Sequence, residues 1–225
     1  MRPRRRIEAV VLDLDGVLID SEQVWDAVRE GLVRERGGHW VPEATGAMMG
    51  MSSPEWSRYM AEELGVPMEP AAISAEAVTR VAARYGQAPP LVEGGVEVVV
   101  ALAARWPLGL ASSSNRPIID LVLDRAGLAD CFRATVSSEE VARGKPAPDV
   151  YLEAAARLGV PPRCCAAVED SANGLRSAAA AGMWVVAVPN RRYPPPPELV
   201  QAADLALADL RELTPAAVEG LGRGG

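Results

Sequence analysis

The sequence predicts an α/β protein with a mostly parallel β-sheet, helices on both faces of that sheet, and a helical insertion after the first strand. Three observations support this fold class. The chain has 225 residues, enough for one domain with an insertion or for two small domains. Residues 7–14 form an apolar run rich in β-branched residues, as in a strand that is buried on both faces. Beyond Pro89 and Pro90, helical and strand patterns alternate, which is typical of parallel sheets.

The segment that follows the first strand has helical patterns only. Ser21 is predicted to cap the first of its helices, and Gly37 and Gly38 to end it. The predicted helices of this segment span 22–36, 54–64 and 71–85. We therefore predict an α/β core formed by residues 1–21 and 89–225, and a helical insertion over residues 22–88.

The rest of the core reads as an alternation of helices and strands. The predicted helices span 95–105, 116–127, 148–158 and 172–181. The predicted strands span 108–114, 133–137, 164–169 and 183–188. Together with the strand at 7–14, these strands predict a doubly wound, Rossmann-like parallel sheet.

Composition and charge argue against several function classes. The net charge of −7 disfavours nucleic acid or an anionic membrane as a main partner, and no apolar run approaches the ~20 residues of a membrane span. His39 is the only histidine, which excludes His-rich metal sites. Cys131, Cys164 and Cys165 fit no zinc spacing and are predicted to be reduced. The apolar part of the opening segment is short for a signal peptide, so a cytoplasmic protein is expected, as a monomer or weak homodimer.

Polar side chains follow several of the predicted strands, at the edge of the sheet where α/β proteins bind ligands. Asp13 and Asp15 follow the first strand, and Lys145 lies in "GKPAPD". Glu169 and Asp170 follow the strand "CCAAV". The candidate substrate contacts are Gly16, Gly50, Ser113, Ser114, Asn115 and Arg116, and Ser112 is a candidate catalytic hydroxyl. Because separate segments deliver acids, hydroxyls and one cation to one edge, the sequence predicts an active site there.

The chemistry of this set points to a hard metal ion. Several carboxylates cannot share a small pocket unless a cation is bound or some are protonated. Oxygen ligands without histidine or thiolate favour Mg²⁺, which also takes substrate phosphate oxygens. The candidate metal ligands are Asp13, Asp15, Glu169 and Asp170. With Mg²⁺ and Lys145 compensating the charge, one Asp could attack phosphorus while the other delivers a proton to the leaving oxygen.

Four segments also resemble, in order and spacing, the motifs of a known family. These are "DLDGVLIDSE", the Ser after "LGLA", "GKPAPD" and "VEDSANG". They are similar to the four motifs of the haloacid dehalogenase (HAD) superfamily, and the resemblance covers nearly the whole chain. The insertion resembles the α-helical cap of the β-phosphoglucomutase and phosphoglycolate phosphatase-like branch. The resemblance implies a Mg²⁺-dependent phosphatase that acts on a small phosphorylated metabolite, such as a sugar phosphate or a phosphoglycolate-like compound.

The same resemblance implies a role for each motif residue. Asp13 would be the nucleophile that forms an aspartyl-phosphate, and Asp15 the general acid and base, with its backbone carbonyl on the metal. Ser112 would hold the transferring phosphoryl group, and Lys145 would pair with phosphate and with Asp13. Asp170, together with Glu169, would complete the Mg²⁺ site.

Two positions differ from the mutase members of the branch. Trp25 stands where the mutases carry a His in the first cap helix, and Ser53 aligns with an Arg of their cap loop. Both differences favour hydrolysis over the alternative, a sugar phosphate mutase. A haloacid dehalogenase has little use for the acid at Asp15. A phospho-acceptor receiver domain, the alternative from a different class, is shorter and lacks a helical insertion.

Several side chains allow two interpretations at this stage. Ser114 and Asn115 could contact substrate or cap the next helix. Arg116 could bind a substrate anion or stay solvated, and Glu169 could bind the metal directly or support other ligands. The loop that contains Gly50 could let backbone approach a substrate. The insertion's aromatic and Met residues are expected to be core, namely Trp25, Trp40, Trp56 and Met48–Met51.

Overall fold

A computed structural model describes residues 6–49 and 51–221. In this part of the chain one sheet runs in the order β3-β2-β1-β4-β5-β6, and every neighbouring pair of strands is parallel. The strands are β1 (Ala9–Leu12), β2 (Leu108–Ser112), β3 (Phe132–Ser137), β4 (Cys165–Glu169), β5 (Trp184–Ala187) and β6 (Leu205–Ala206). The predicted α/β class with a parallel, Rossmann-like sheet is confirmed.

Helices flank this sheet and fill the insertion. Those before β2 are α1 (Glu22–Glu35), α2 (Ala44–Met48), α3 (Ser53–Glu62), α4 (Pro70–Tyr85) and α5 (Gly95–Ala103). Those after β2 are α6 (Arg116–Arg125), α7 (Asp149–Leu158), α8 (Ala172–Ala180), α9 (Pro197–Gln201) and α10 (Pro215–Leu221). The helices and strands predicted from the sequence all form, whereas the short elements α2, α9, α10 and β6 were not predicted.

The strand order places the ends of β1 and β4 side by side at the centre of the sheet. β1 pairs with β2 on one side and with β4 on the other, so the order of connection reverses between β1 and β4. Such a reversal opens a crevice at the carboxyl ends of the strands, where open α/β sheets bind ligands. The acids that follow β1 and β4 therefore meet there.

Each face of the sheet has its own apolar layer, because alternate residues of a strand point to opposite faces. Val10 and Leu12 belong to a large buried cluster that also contains Trp56 of the insertion. Ala9 and Val11 belong to a second cluster, formed with α7 and α8. The insertion thus shares its apolar interior with one face of the sheet.

Among the described residues of the insertion, the regular secondary structure is entirely helical. α3 and α4 pack on each other, α1 packs on α4, and α4 also contacts α6 of the core. No strand of the described residues lies between positions 22 and 88. The division into a core and a cap at these boundaries stays a prediction.

The predicted helix cap at Ser21 is wrong, and of the two interpretations left open for Asn115, the structure does not show capping of α6. Ser21 itself has helical dihedral angles and makes no capping hydrogen bond to α1. Asn115 precedes α6 without capping it, because its side chain bonds to residues of other segments. Serines that do cap helices include Ser52, which forms a capping box with Glu55 at the start of α3, and Ser171, whose Oγ accepts from the Gly174 N–H at the start of α8.

The predictions about cysteines and membrane spans can also be compared with the structure. Cys131 and Cys164 are partly buried free thiols, and Cys165 is a buried one whose pKa burial raises to about 12. None of the helices formed by the described residues combines the length and the apolar character that crossing a membrane would need.

Candidate active site

Asp13 and Lys145 form a buried ion pair at the carboxyl end of β1. Lys145 Nζ lies 2.9 Å from Asp13 Oδ1, which also accepts a 2.7 Å hydrogen bond from the backbone N–H of Leu14. Burial alone would disfavour the charged amine, but Asp13 and Glu169 raise the pKa of Lys145, so it stays an ammonium ion. Lys145 therefore provides part of the compensation that two acids at a strand end require.

Glu169, the last residue of β4, is held by several donors at once. Its Oε1 accepts bonds of 2.6 Å from Lys145 Nζ and 2.6 Å from the Tyr151 hydroxyl. Its Oε2 accepts from Ser171 Oγ at 3.3 Å. A Cβ atom on Gly174 would lie 1.9 Å from the carboxyl carbon of Glu169, so only glycine leaves room for this carboxylate. Sequence analysis missed Tyr151.

Asp170 follows directly and lies against Gly16 of the β1 loop. A Cβ atom on Gly16 would be 1.8 Å from Asp170 Oδ2, and Gly16 has a φ of +77°, a conformation that favours glycine. Asn190 Nδ2 donates to Asp170 Oδ2 over 3.3 Å. The structure thus assigns Gly16 the task of making space for Asp170. Asn190 carries no motif, so sequence analysis did not identify it.

The three acids at this edge form a group that fits a divalent cation. One carboxylate oxygen from each of Asp13, Glu169 and Asp170 lies within 4.8 Å of the other two. Burial, followed by repulsion from Glu169, raises the pKa values of Asp13 and Asp170 well above their ordinary range. Buried carboxylates that repel one another in this way are what an oxygen-ligated Mg²⁺ would stabilise.

Asp15 is oriented by two serine hydroxyls. Its Oδ2 accepts bonds from Ser114 Oγ at 2.7 Å and from Ser112 Oγ at 3.2 Å. Its Oδ1 is buried and has no hydrogen-bond partner among the described residues. Ser112 is fully buried behind Asp15 and does not line the cavity, whereas Ser114 does. Asp15 therefore has one oxygen held by two hydroxyl groups and one oxygen without a hydrogen-bond partner among the described residues.

The remaining predicted substrate contacts fall in different places. Ser113 and Asn115 line the cavity. Arg116 does not, because its guanidinium group pairs with Glu140 and with Asp120 at 3.2 Å. The structure thus places Arg116 in an ion-pair network outside the site. Gly50 lies outside the described residues.

A cavity of about 60 Å³ separates the sheet edge from the insertion. Its core side includes Asp13, Asp15, Lys145 and Asp170. Its insertion side is formed by Glu22, Trp25, Arg29, Met48, Met49, Met51, Ser53 and Trp56. The aromatic and Met residues expected to be core are indeed buried at Trp25, Trp56 and Met48, and the same residues form a wall of the site.

Two charged residues of α1 on this wall escaped sequence analysis. Burial raises the pKa of Glu22 to about 7, although Arg29 opposes the rise. Arg29 is 7% exposed. The available signal was their spacing. Glu22, Trp25 and Arg29 stand at positions i, i+3 and i+7 of α1, and residues with this spacing lie on one face of a helix.

Comparison with known proteins adds to this geometry. The family model for haloacid dehalogenase-like hydrolases matches residues 7–182. Hexitol phosphatase B of Escherichia coli K12 is 36% identical over 225 residues, which cover 95% of this chain and 97% of the relative. Fructose-1-phosphate phosphatase YqaB of the same organism is 30% identical over 188 residues, covering 81% and 97%. The crystal structure of CbbY from Rhodobacter sphaeroides in complex with phosphate has a TM-score of 0.83 at 25% identity, covering 95% and 99%.

The match to residues 7–182 spans the strand-end acids, the buried lysine and strands β1–β4. Sequence similarity and fold similarity extend over most of both chains in these comparisons. With the Asp13–Lys145 pair and the acidic group at the β1–β4 crevice, the chain belongs to the haloacid dehalogenase-like hydrolase family.

Proposed function

We propose that this hydrolase is a Mg²⁺-dependent phosphatase that removes phosphate from a small phosphorylated metabolite through an aspartyl-phosphate on Asp13. The observation that carries the proposal is the contact of Lys145 Nζ with Asp13 Oδ1 beside the carboxylate of Asp170. The activities named for hexitol phosphatase B and fructose-1-phosphate phosphatase support a sugar or polyol phosphate as substrate.

The first chemical step would be transfer of the phosphoryl group to Asp13. Lys145 and the Leu14 amide both contact Oδ1, which favours attack by Oδ2. As the new bond from Oδ2 to phosphorus forms, the ester bond breaks and Asp15 gives its proton to the leaving oxygen. The alcohol leaves, and Asp15 becomes a carboxylate.

The second step would hydrolyse the aspartyl-phosphate. Asp15 accepts a proton from water as the water oxygen attacks phosphorus, and the bond from phosphorus to Asp13 breaks. Inorganic phosphate leaves, Asp13 is restored as a carboxylate, and Asp15 is protonated again. The bonds from Ser112 and Ser114 hold Oδ2 of Asp15 through both steps, so Oδ1 carries the proton.

Asp13, Asp170 and the backbone carbonyl of Asp15 would hold the Mg²⁺ ion. When bound, the ion neutralises carboxylate charge and polarises a phosphoryl oxygen. Glu169 remains a candidate ligand, but its bonds to Lys145 and Tyr151 favour an indirect role. Its carboxylate would then fix the position of the ammonium group beside Asp13.

Residues 22–88 would act as the cap that closes over the substrate and excludes bulk water. The cavity is shared by core and insertion, which supports this division. Activity in the cytoplasm is proposed with it, because the cysteines are free thiols.

The test is release of phosphate from p-nitrophenyl phosphate with Mg²⁺. Wild-type protein is expected to turn over, EDTA to stop turnover, and excess Mg²⁺ to restore it. Asp13→Asn is expected to abolish activity, and Asp15→Asn to slow it by at least about 100-fold, as removal of a general acid commonly does. Asp124→Asn, a change at an exposed residue of α6, is the control. The proposal fails if Asp13→Asn keeps the wild-type rate.

The alternative, a sugar phosphate mutase, is distinguished by its product. Supplied with a hexose phosphate, a mutase accumulates an isomer, whereas the proposed phosphatase releases inorganic phosphate. Trp25 on the cavity wall, where the mutases carry a His, supports hydrolysis.

A further inference from the structure

Arg29 lies between two tryptophan rings on the insertion side of the cavity. Its guanidinium carbon is 4.9 Å from the ring centroid of Trp25 and 4.9 Å from that of Trp56. The two rings are 5.9 Å apart and tilted by 59°. In this arrangement the guanidinium group makes cation–π contacts with both tryptophan rings.

The N–H groups at the edge of the Arg29 guanidinium lack a carboxylate partner in the protein. Among the described residues no carboxylate lies within 4.0 Å of Arg29, and its buried Nε has no hydrogen-bond partner. Arginine keeps its charge in proteins, and a buried charge is normally paired. Tryptophan rings cannot accept the in-plane N–H bonds of a guanidinium group. Glu22, Asp26 and Asp15 attract this charge from beyond ion-pair distance, but none of them contacts the guanidinium group directly. An anion or another strong acceptor could therefore still bind its N–H groups.

The other cation of the cavity differs in this respect. Lys145 is already paired with Asp13 and with Glu169. Among the described residues that line the cavity, Arg29 is thus the one cation without a carboxylate at ion-pair distance. Lys145 serves the reacting phosphoryl group, whereas Arg29 is available to another part of the same ligand.

We infer that Arg29 is a specificity-determining residue that binds a second anionic group of the substrate, remote from the phosphoryl group that is removed. The inference rests on the proposed phosphatase function and narrows its substrate class to phosphate esters with a further carboxylate or phosphate. The planar N–H fork of arginine matches both groups through paired hydrogen bonds.

Glu22 lies on the same wall and is compatible with an anionic ligand. Burial raises the pKa of this carboxyl to about 7, so that near neutrality a large part of it is protonated. A protonated carboxyl does not repel an anion and can donate a hydrogen bond to it.

The experiment compares substrates that differ only at the remote end. 3-Phosphoglycerate and glycerol 3-phosphate have the same carbon skeleton, with a carboxylate in one and a hydroxymethyl group in the other. Fructose 1,6-bisphosphate and fructose 1-phosphate form the corresponding pair for a second phosphate. Wild-type protein is expected to prefer the more anionic member of at least one pair by about tenfold in kcat/KM, and the pair that responds identifies the group.

Variants at position 29 assign the preference to this side chain. Arg29→Gln is expected to lower the ratio of kcat/KM within the responding pair by at least about tenfold. Arg29→Lys keeps the charge but lacks the fork, so an intermediate ratio is expected. Arg34→Gln removes a charge from the exposed face of the same helix and is the control that leaves the ratio unchanged.

The outcomes separate this inference from the phosphatase proposal. A wild-type protein that prefers the less anionic member of both pairs, or neither, overturns the role of Arg29 even if Arg29→Gln does not fold. A preference that is as large in folded Arg29→Gln as in the wild-type protein overturns it too. A protein that hydrolyses none of these esters, nor p-nitrophenyl phosphate, overturns the phosphatase function itself.

Discussion

Gly16 shows how one missing side chain positions an acid of the site. Replacement by alanine would place a Cβ atom 1.8 Å from Asp170 Oδ2 and force a residue with a side chain into a φ of +77°. We expect Gly16→Ala to lower phosphate release by at least about 100-fold, because shifts near 1 Å in catalytic groups have such effects. A Mg²⁺ titration of the rate should also show weaker activation.

Gly46 provides the matched control for this substitution. It lies in α2, is exposed, and has open space where a Cβ atom would be. Gly46→Ala should leave turnover unchanged and stabilise the helix by about 0.5–1 kcal/mol. If Gly16→Ala proved as active as Gly46→Ala, the proposed constraint on Asp170 would be wrong.

At the scale of single residues, the sequence predicted the acids at the ends of β1 and β4 and missed Tyr151 and Arg29, which reach the site from helices. Asp13 and Asp170 could be predicted because the carboxyl ends of parallel strands share one edge. Tyr151 could not, since on α7 it is a buried apolar position whose hydroxyl finds Glu169 only in three dimensions. Arg29 was missed because the position of a helix face depends on tertiary packing.

At the scale of secondary-structure elements, one hydrogen bond joins the insertion to the core beside the cavity. Ser53 Oγ, at the start of α3, donates to Asn115 Oδ1 over 2.9 Å, and Asn115 Nδ2 donates to Glu139 over 2.6 Å. Ser53→Ala would leave the buried amide oxygen without this donor, at a cost of about 1–3 kcal/mol. We expect KM for the substrate to rise several-fold while Mg²⁺ activation is retained, as steady-state kinetics would show.

A second buried serine of α3 provides the control for the effect of Ser53→Ala on KM. Ser57 bonds only to the carbonyl of Pro54, over 3.5 Å, within α3. Ser57→Ala should therefore leave KM unchanged. Equal effects of the two substitutions would indicate a general loosening of α3 and would contradict a specific role for the Ser53–Asn115 bond.

The predicted elements also show which sequence patterns predict secondary structure correctly. Amphipathic patterns of ten residues or more predicted α1, α3 and α4 correctly, because several turns repeat the same face. α2 and α9 have five residues each, too few for a periodic pattern. Of the two interpretations left open for Asn115, capping of α6 is not observed because Ser53 and Glu139, far away in the sequence, bind its side chain.

At the scale of the whole molecule, the buried acids are expected to link stability to Mg²⁺. Burial and mutual repulsion disfavour charged Asp13 and Asp170, so a cation that binds them should stabilise the folded state. At saturating Mg²⁺ we expect the melting temperature to rise by about 5–10 °C. Asp170→Asn should remove most of this rise, whereas Asp124→Asn should retain it. Equal rises in both variants would contradict the site.

The sign of the pH dependence follows from the same pKa shifts. A carboxyl whose pKa is raised on folding binds more protons in the folded state, so stability without metal falls as the pH rises above the ordinary value of 3.8. Mg²⁺ must displace those protons when it binds. The increase in melting temperature should therefore be larger at pH 8 than at pH 5.5.

The parallel sheet was predictable from the alternation of helices and strands, but the order of its strands was not. Chain order gives no indication that β4 lies beside β1, because both strands are short apolar runs that could pair with any neighbour. That order depends on which helices cover which face, as when α7 packs on β1, β2 and β3. Only the final arrangement shows why the acids after β1 and β4 meet.

The adjacency of β1 and β4 has a consequence for how intact the polypeptide must be. Asp13 comes near the beginning of the chain and Asp170 far along it, yet both must reach one crevice. A ribosomal product that stops before β4 would carry the proposed nucleophile without the opposing acid. Turnover is thus expected only from chains that extend at least through Asp170, and shorter products would contribute protein mass but no catalysis.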